Sequence, residues 1–208
     1  QDRPITEEPA QVEIEANENG EVTTLAYEVT GVAPGETATV SISEDVLEQT
    51  DAAFDNLVGF YEVIDAEGTV VFEGMEYKPG DDGYAKAALE NAVDGFALNV
   101  GGDASDNTSA EEFDALVTGG KFYSPFVIAN GSSIEDFFAA NPDNNAATSL
   151  EDQVAYFAFG DANPDGANHL QSRGDGVFGF EDLPANLPGV SDNDFNDAVF
   201  AFNFNATA

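Results

Sequence analysis

The stretch Thr24–Val46 reads TLAYEVTGVAPGETATVSISEDV, two runs of alternating apolar and polar residues on either side of the turn-forming Ala33-Pro34-Gly35. Alternation with a period of two is the mark of a half-buried strand, so both runs read as short half-buried strands parted by a turn. Upstream, Gln11–Ala16 (QVEIEA) has the same style, with Val12 and Ile14 on one face and Glu13 and Glu15 on the other. Downstream, strands are expected at Val58–Ile64, Thr69–Phe72, Gly95–Val100, Phe122–Ala129, Val154–Phe159 and Ala198–Phe204, most of them separated by Gly, Asp, Asn and Pro clusters.

Helical patterns are few and short. One is expected from Asp82 or Gly83 through YAKAALENA to near Gly95, and a second after the N-cap Ser133, with Glu135 and Asp136 in its first turn. Many strands and few helices predict an all-β, jelly-roll-like β-sandwich. Residues 1–10, with Pro4 and Pro9 and no periodicity, read as a linker or tail, and 11–208 as a single domain.

Composition narrows the function. The 208 residues carry 41 Asp plus Glu against 5 Lys plus Arg, a net charge of −36, with one His and no Cys. That excludes a disulfide framework, a thiolate zinc site, a cysteine nucleophile and a multi-His metal centre. It also excludes nucleic acid as a partner, since phosphate recognition needs a basic footprint. A hydrophobic fraction of 42% with 17 Phe and 6 Tyr separates the chain from disordered acidic tails. Its apolar runs, such as Phe122–Ala129, are far shorter than the roughly 18 residues of a membrane span, so no membrane insertion is expected. No basic segment followed by an apolar one opens the chain, so Gln1 is expected to begin a mature protein or an excised domain.

So much negative charge calls for an offset, because neighbouring carboxylates repel by about 1 kcal/mol at 4 Å even in water. High external salt, bound divalent cations and a basic partner all qualify. A solvated acidic surface in a salt-loving organism accounts for most of the acids, but it does not predict carboxylates at fixed turn spacings.

Three acidic loops within the last fifty residues have such spacings. GDANPDG places Asp161, Asn163 and Asp165 at alternate positions before Gly166, the first half of an EF-hand-type calcium loop. The second half is missing, because position 12 counted from Asp161 is Ser172 where such a loop needs a bidentate Glu. FGFEDLP sets Glu181 and Asp182 directly after an aromatic strand, and SDNDFNDAVFAF sets Asp192, Asp194, Asn196 and Asp197 directly before one. In an extended chain residues 192, 194 and 196 share a face, with Asp197 opposite unless the chain turns. Six to eight hard oxygens in flexible geometry suit Ca2+ better than Mg2+. Asx turns without metal are the competing account of each loop taken singly. Phe157, Phe159, Phe178, Phe180, Phe195, Phe200, Phe202 and Phe204 read as core anchors for these strands rather than as a sugar platform.

FYEVIDAEGTV, PGDDGYAKAAL, GGKFYSPFVIANG, AYFAFGDANPDGANHLQ, FGFEDLP and DNDFNDAVF follow one another between residues 58 and 204. In that order they resemble the bacterial domain of unknown function 4114 family, with FEDLP and DxDFND the most specific pair. The resemblance implies a calcium-dependent adhesin module of a large secreted or cell-surface protein, extracellular and flanked by neighbouring domains. Residue by residue it implies Glu181, Asp182, Asp192, Asp194, Asn196 and Asp197 as calcium ligands. The chain departs from it in the link ANLPGVS, residues 185–191, which is longer than the Gly-rich one implied. The resemblance transfers no catalytic activity, and no catalytic residue is assigned.

The function expected is therefore a binding module in which loop-held Ca2+ recognises a glycan or peptide on another cell surface. A calcium-stiffened structural spacer is the alternative. A glycoside hydrolase built on Glu181 and Asp194 is a weaker one, and His169, in a polar loop, is expected to support the site or lie at the surface.

Overall fold

The computed structural model describes residues 10–11, 18–19, 24–29, 32–42, 50–51, 54–101, 115–174 and 177–206. Its strands are β1 (Ala10–Gln11), β2 (Tyr27–Glu28), β3 (Thr37–Ile42), β4 (Asp55–Val63), β5 (Val70–Phe72), β6 (Met75–Tyr77) and β7 (Ala92–Gly101). After them come β8 (Ala115–Thr118), β9 (Phe122–Ala129), β10 (Val154–Phe157), β11 (Leu170–Gly174), β12 (Val177–Phe180), β13 (Ala198–Phe200) and β14 (Phe202–Ala206). Two helices, α1 (Tyr84–Glu90) and α2 (Ile134–Ala140), and a 3-10 turn at Gly160–Ala162 interrupt them.

The strands pair antiparallel into open sheets. One runs β10-β9-β4-β7 with β2 also on β9, one β1-β14-β3-β8, one β11-β12-β13, and β5 pairs with β6. The fold is an all-β sandwich. In the middle lies the sheet of β4 and β9, whose residues are buried almost without interruption. Such a strand reads as a continuous apolar run because both of its faces are covered. On one face Val58, Phe60, Phe96, Leu98 and Val127 pack against Val40 and Val117 of the β3–β8 sheet and against Phe178, Phe180 and Phe200. On the other, Leu57, Tyr61, Phe126, Ile128 and Phe157 pack against α1 and Phe137 of α2. Pro125, which has no N–H to offer a neighbour, falls where β9 is flanked by neither β2 nor β10.

Three expectations change. The first helix stops at Glu90 rather than near Gly95, because the Asn91 amide donates to Ala87 O at 2.8 Å and Val71 O at 2.9 Å and the chain enters β7 at once. The second helix starts as expected, with Asp136 N–H donating to Ser133 Oγ at 3.1 Å. The last strand divides at Ala201, β13 pairing with β12 and β14 crossing to β3. Strand 154–159 ends at Phe157, whose N–H and carbonyl are both held by the Asn163 side chain. Of the expected tail 1–10, Ala10 is drawn into β1 opposite Phe204; residues 1–9, residues 12–16 of the first expected strand and the end of TVSISEDV lie outside the described residues.

Candidate metal centre

β12 and β13 form a hairpin in which Phe178 opposes Phe200, Gly179 opposes Val199 and Phe180 opposes Ala198. Continuing that register by one pair sets Glu181 against Asp197, so the two acidic motifs at the exit of β12 and the entry of β13 become neighbours. Two groups of carboxylates result, Glu181 with Asp182 and Asp197, and Glu181 with Asp192 and Asp194. Within each group one oxygen per residue lies within 4.8 Å of the others. The first group is buried throughout, while Asp192 and Asp194 are exposed.

The loop between the strands is not extended. Asn193 and Phe195 have left-handed backbones, with φ of 56° and 55°, a conformation that costs a non-glycine residue about 1 kcal/mol or more. Across these turns Asp192 and Asp194 group with Glu181, while Asp197 groups with Glu181 and Asp182. Two features hold the loop in this shape. Arg173 Nη1 donates to the carbonyls of Asp194 at 3.0 Å and Phe195 at 3.2 Å, binding backbone rather than carboxylate oxygens. Gly179 lets the Phe195 carbonyl lie against β12, where any Cβ would overlap that oxygen.

The buried acids differ in their partners. Asp182 Oδ2 accepts from Asn56 Nδ2 at 2.7 Å, and the same amide reaches Asp197 O at 3.3 Å. Asp197 Oδ2 accepts from the Asp182 amide at 3.0 Å. Glu181 is 2% exposed, and neither Oε1 nor Oε2 has a hydrogen-bond partner. Ser191 Oγ beside it is equally unpartnered. Desolvation, followed by the charges of Asp197 and Asp192, pushes the Glu181 carboxyl up to about 7; the Phe195 amide and Ser191 hydroxyl, close enough to favour the anion but outside hydrogen-bond geometry, reverse this only in part. Desolvation and neighbouring carboxylates likewise raise Asp182 and Asp197, which lie against each other, above the ordinary carboxyl range. A buried anion with empty lone pairs is costly unless a proton or a cation meets it. Among the described residues the ion pairs are Lys121–Glu62 and His169–Asp165, so no side-chain cation is paired with a carboxylate of the cluster, and Arg173 meets only backbone carbonyls of its loop. These acids can hold a metal ion, and their all-oxygen donor set fits a hard one.

The DxNxDG loop is put to another use. Asn163 is buried and spends its amide on Phe157 N, Phe157 O and Ala167 O at 2.7, 3.1 and 2.8 Å. Asp165 accepts from the amides of Ala167 and Ala185, each at 3.0 Å, and from His169 Nε2 at 2.7 Å. Burial alone would raise the Asp165 carboxyl, but the hydrogen bond and charge of His169, helped by these amides, hold it below its ordinary value. Asp161 sits in the 3-10 turn at the surface. Neither Asp161 nor Asp165 belongs to the two groups of hairpin acids, and Asn163 and Asp165 build a hydrogen-bonded turn beside the site. His169, buried and stacked on Tyr156 at 3.7 Å, links that turn to the cluster, its Nδ1 meeting the Glu181 carbonyl at 2.7 Å. Asn196 is half-buried and stands beside the two groups, its N–H donating to Asp194 Oδ1 at 3.2 Å and its carbonyl accepting from Asp51 N.

Residues 117–205, which contain every one of these acids, match the family model described as a domain of unknown function (DUF4114). This part of the chain belongs to that family. No curated protein and no solved structure matches the chain. The DUF4114 segment holds all five carboxylates, whereas Asn56, which fixes Asp182, comes from β4, ahead of it. Spacing offered no route to Asn56, 126 residues from its partner; a polar residue heading the apolar run of β4 was the available sign.

Proposed function

We propose that the chain is a calcium-binding, non-catalytic module of a bacterial surface or secreted protein, whose loop-held Ca2+ serves adhesion to a glycan or peptide. The observation that carries the calcium assignment is Glu181, a buried carboxylate with both oxygens unpartnered at the meeting point of four other acids. Ca2+ suits it because it accepts many oxygen ligands in irregular geometry, whereas Mg2+ demands a near-ideal octahedron. Exposure of Asp192 and Asp194 favours recognition, since an ion on that side keeps coordination positions open to sugar hydroxyls or a peptide carboxylate. Among the described residues no helix is long and apolar enough to cross a membrane.

Burial of Glu181, Asp182 and Asp197 favours the second reading, a spacer that calcium stiffens, because an enclosed ion offers nothing to a partner. Glycan and peptide arrays probed in calcium and in EDTA, with melting curves alongside, separate the two. Array binding that EDTA abolishes while the fold persists supports adhesion. Loss of the fold in EDTA with no array binding in calcium supports the spacer.

A further inference from the structure

The two acidic groups differ in burial and share one member, and that member is the residue whose oxygens have no partner. Ligands of a single Ca2+ sit about 2.3–2.6 Å from it, so any two of them are at most about 5 Å apart. Glu181, Asp182 and Asp197 meet that limit together, and so do Glu181, Asp192 and Asp194, but the five fall into two groups rather than one. The Glu181 carboxylate has two unpartnered oxygens, enough to face an ion on each side.

We infer that the hairpin binds two hard divalent cations bridged by Glu181, an enclosed one held by Asp182 and Asp197 and an outer one held by Asp192 and Asp194. Charge agrees with this. Fully ionised, the five clustered carboxylates carry −5, which one divalent ion leaves at −3 and two bring to −1, with the Arg173 guanidinium on the loop backbone adding +1 beside them. Carboxylate-bridged ion pairs about 3.5–4 Å apart are established chemistry in other proteins. The enclosed ion locks the two ends of the hairpin together. The outer one, with half its surroundings open, carries more water and exchanges first, so it is the ion that a ligand would contact. This inference rests on the proposal that the hairpin acids bind calcium.

The test is binding stoichiometry of the full chain, by equilibrium dialysis against Ca2+ with elemental analysis. The expected result is two ions per chain, falling to one in Asp192→Asn/Asp194→Asn, whose exposed side chains leave the core untouched. Tb3+ put in place of calcium should then lose the component with more coordinated water, read from luminescence lifetimes in H2O and D2O. A single ion in the parent protein overturns the two-ion arrangement and leaves calcium binding standing. No bound ion overturns both.

Discussion

Asn56, second residue of β4, donates its side-chain amide to Asp182 Oδ2 at 2.7 Å across 126 residues of sequence, and its own Oδ1 accepts from the Asn130 backbone at 3.3 Å. One buried amide thereby ties the central sheet to the exit of β12, and it is what points Asp182 toward Glu181. Replacing Asn56 with Ala should cost about 1–3 kcal/mol by leaving buried polar groups unmatched. It should also weaken calcium binding, as losing the group that orients a ligand typically does by about 10–100-fold. Melting curves and calcium titration check both, and calcium affinity equal to that of the parent would show that Asp182 needs no such positioning.

His169 should behave as a positioning residue. Its ring bridges Asp165 and the Glu181 carbonyl, at 2.7 Å on each side, so His169→Ala removes the brace without touching a carboxylate. The expected outcome is a lower melting temperature together with weaker calcium binding. A variant that melts lower but titrates calcium like the parent would confine His169 to the core.

In the metal-free protein the pH dependence has a definite sign. Burial and neighbouring charge push the Glu181 carboxyl up to about 7 and raise the Asp182–Asp197 pair above ordinary carboxyl values. The folded chain therefore holds protons that the unfolded chain has released, and stability falls as pH rises from about 4 to about 7. Calcium replaces those protons, so its stabilising effect should grow over the same window. Melts in EDTA and in millimolar calcium across pH 4.5–8 test this; the difference between the two series cancels the general repulsion of a −36 chain. Two parallel series would contradict it.

The DxNxDG loop predicts a contrast. Asn163→Ala strips Phe157 and Ala167 of three hydrogen bonds and should destabilise the fold by about 1–3 kcal/mol. Asp161→Asn, at the surface, should change neither stability nor calcium binding. If Asp161→Asn weakened calcium binding as much as Asp194→Asn does, the loop would be a ligand set after all.

How far the sequence could be read depended on whether the information was local. β9 runs over Phe122–Ala129, the bounds expected from its apolar run, because a strand buried on both faces is apolar throughout. β6, β8 and β11 carried no such mark; Met75-Glu76-Tyr77 and Leu170-Gln171-Ser172-Arg173 are too short or too polar to announce a strand. At the site, the hairpin acids were legible since they flank strands that pair with each other. Asp161, Asn163 and Asp165 share their spacing with a calcium loop, yet an Asx-rich turn uses the same residues to satisfy its own backbone, and spacing alone does not distinguish the two. Asn56 and the left-handed turns at Asn193 and Phe195 depend on contacts distant in sequence.

The most direct measurement is a crystal structure from millimolar calcium with an anomalous difference map. Density about 2.3–2.6 Å from a Glu181 carboxylate oxygen is the predicted result. A featureless map there, with both Glu181 oxygens taken up by hydrogen bonds or a proton, would contradict the account.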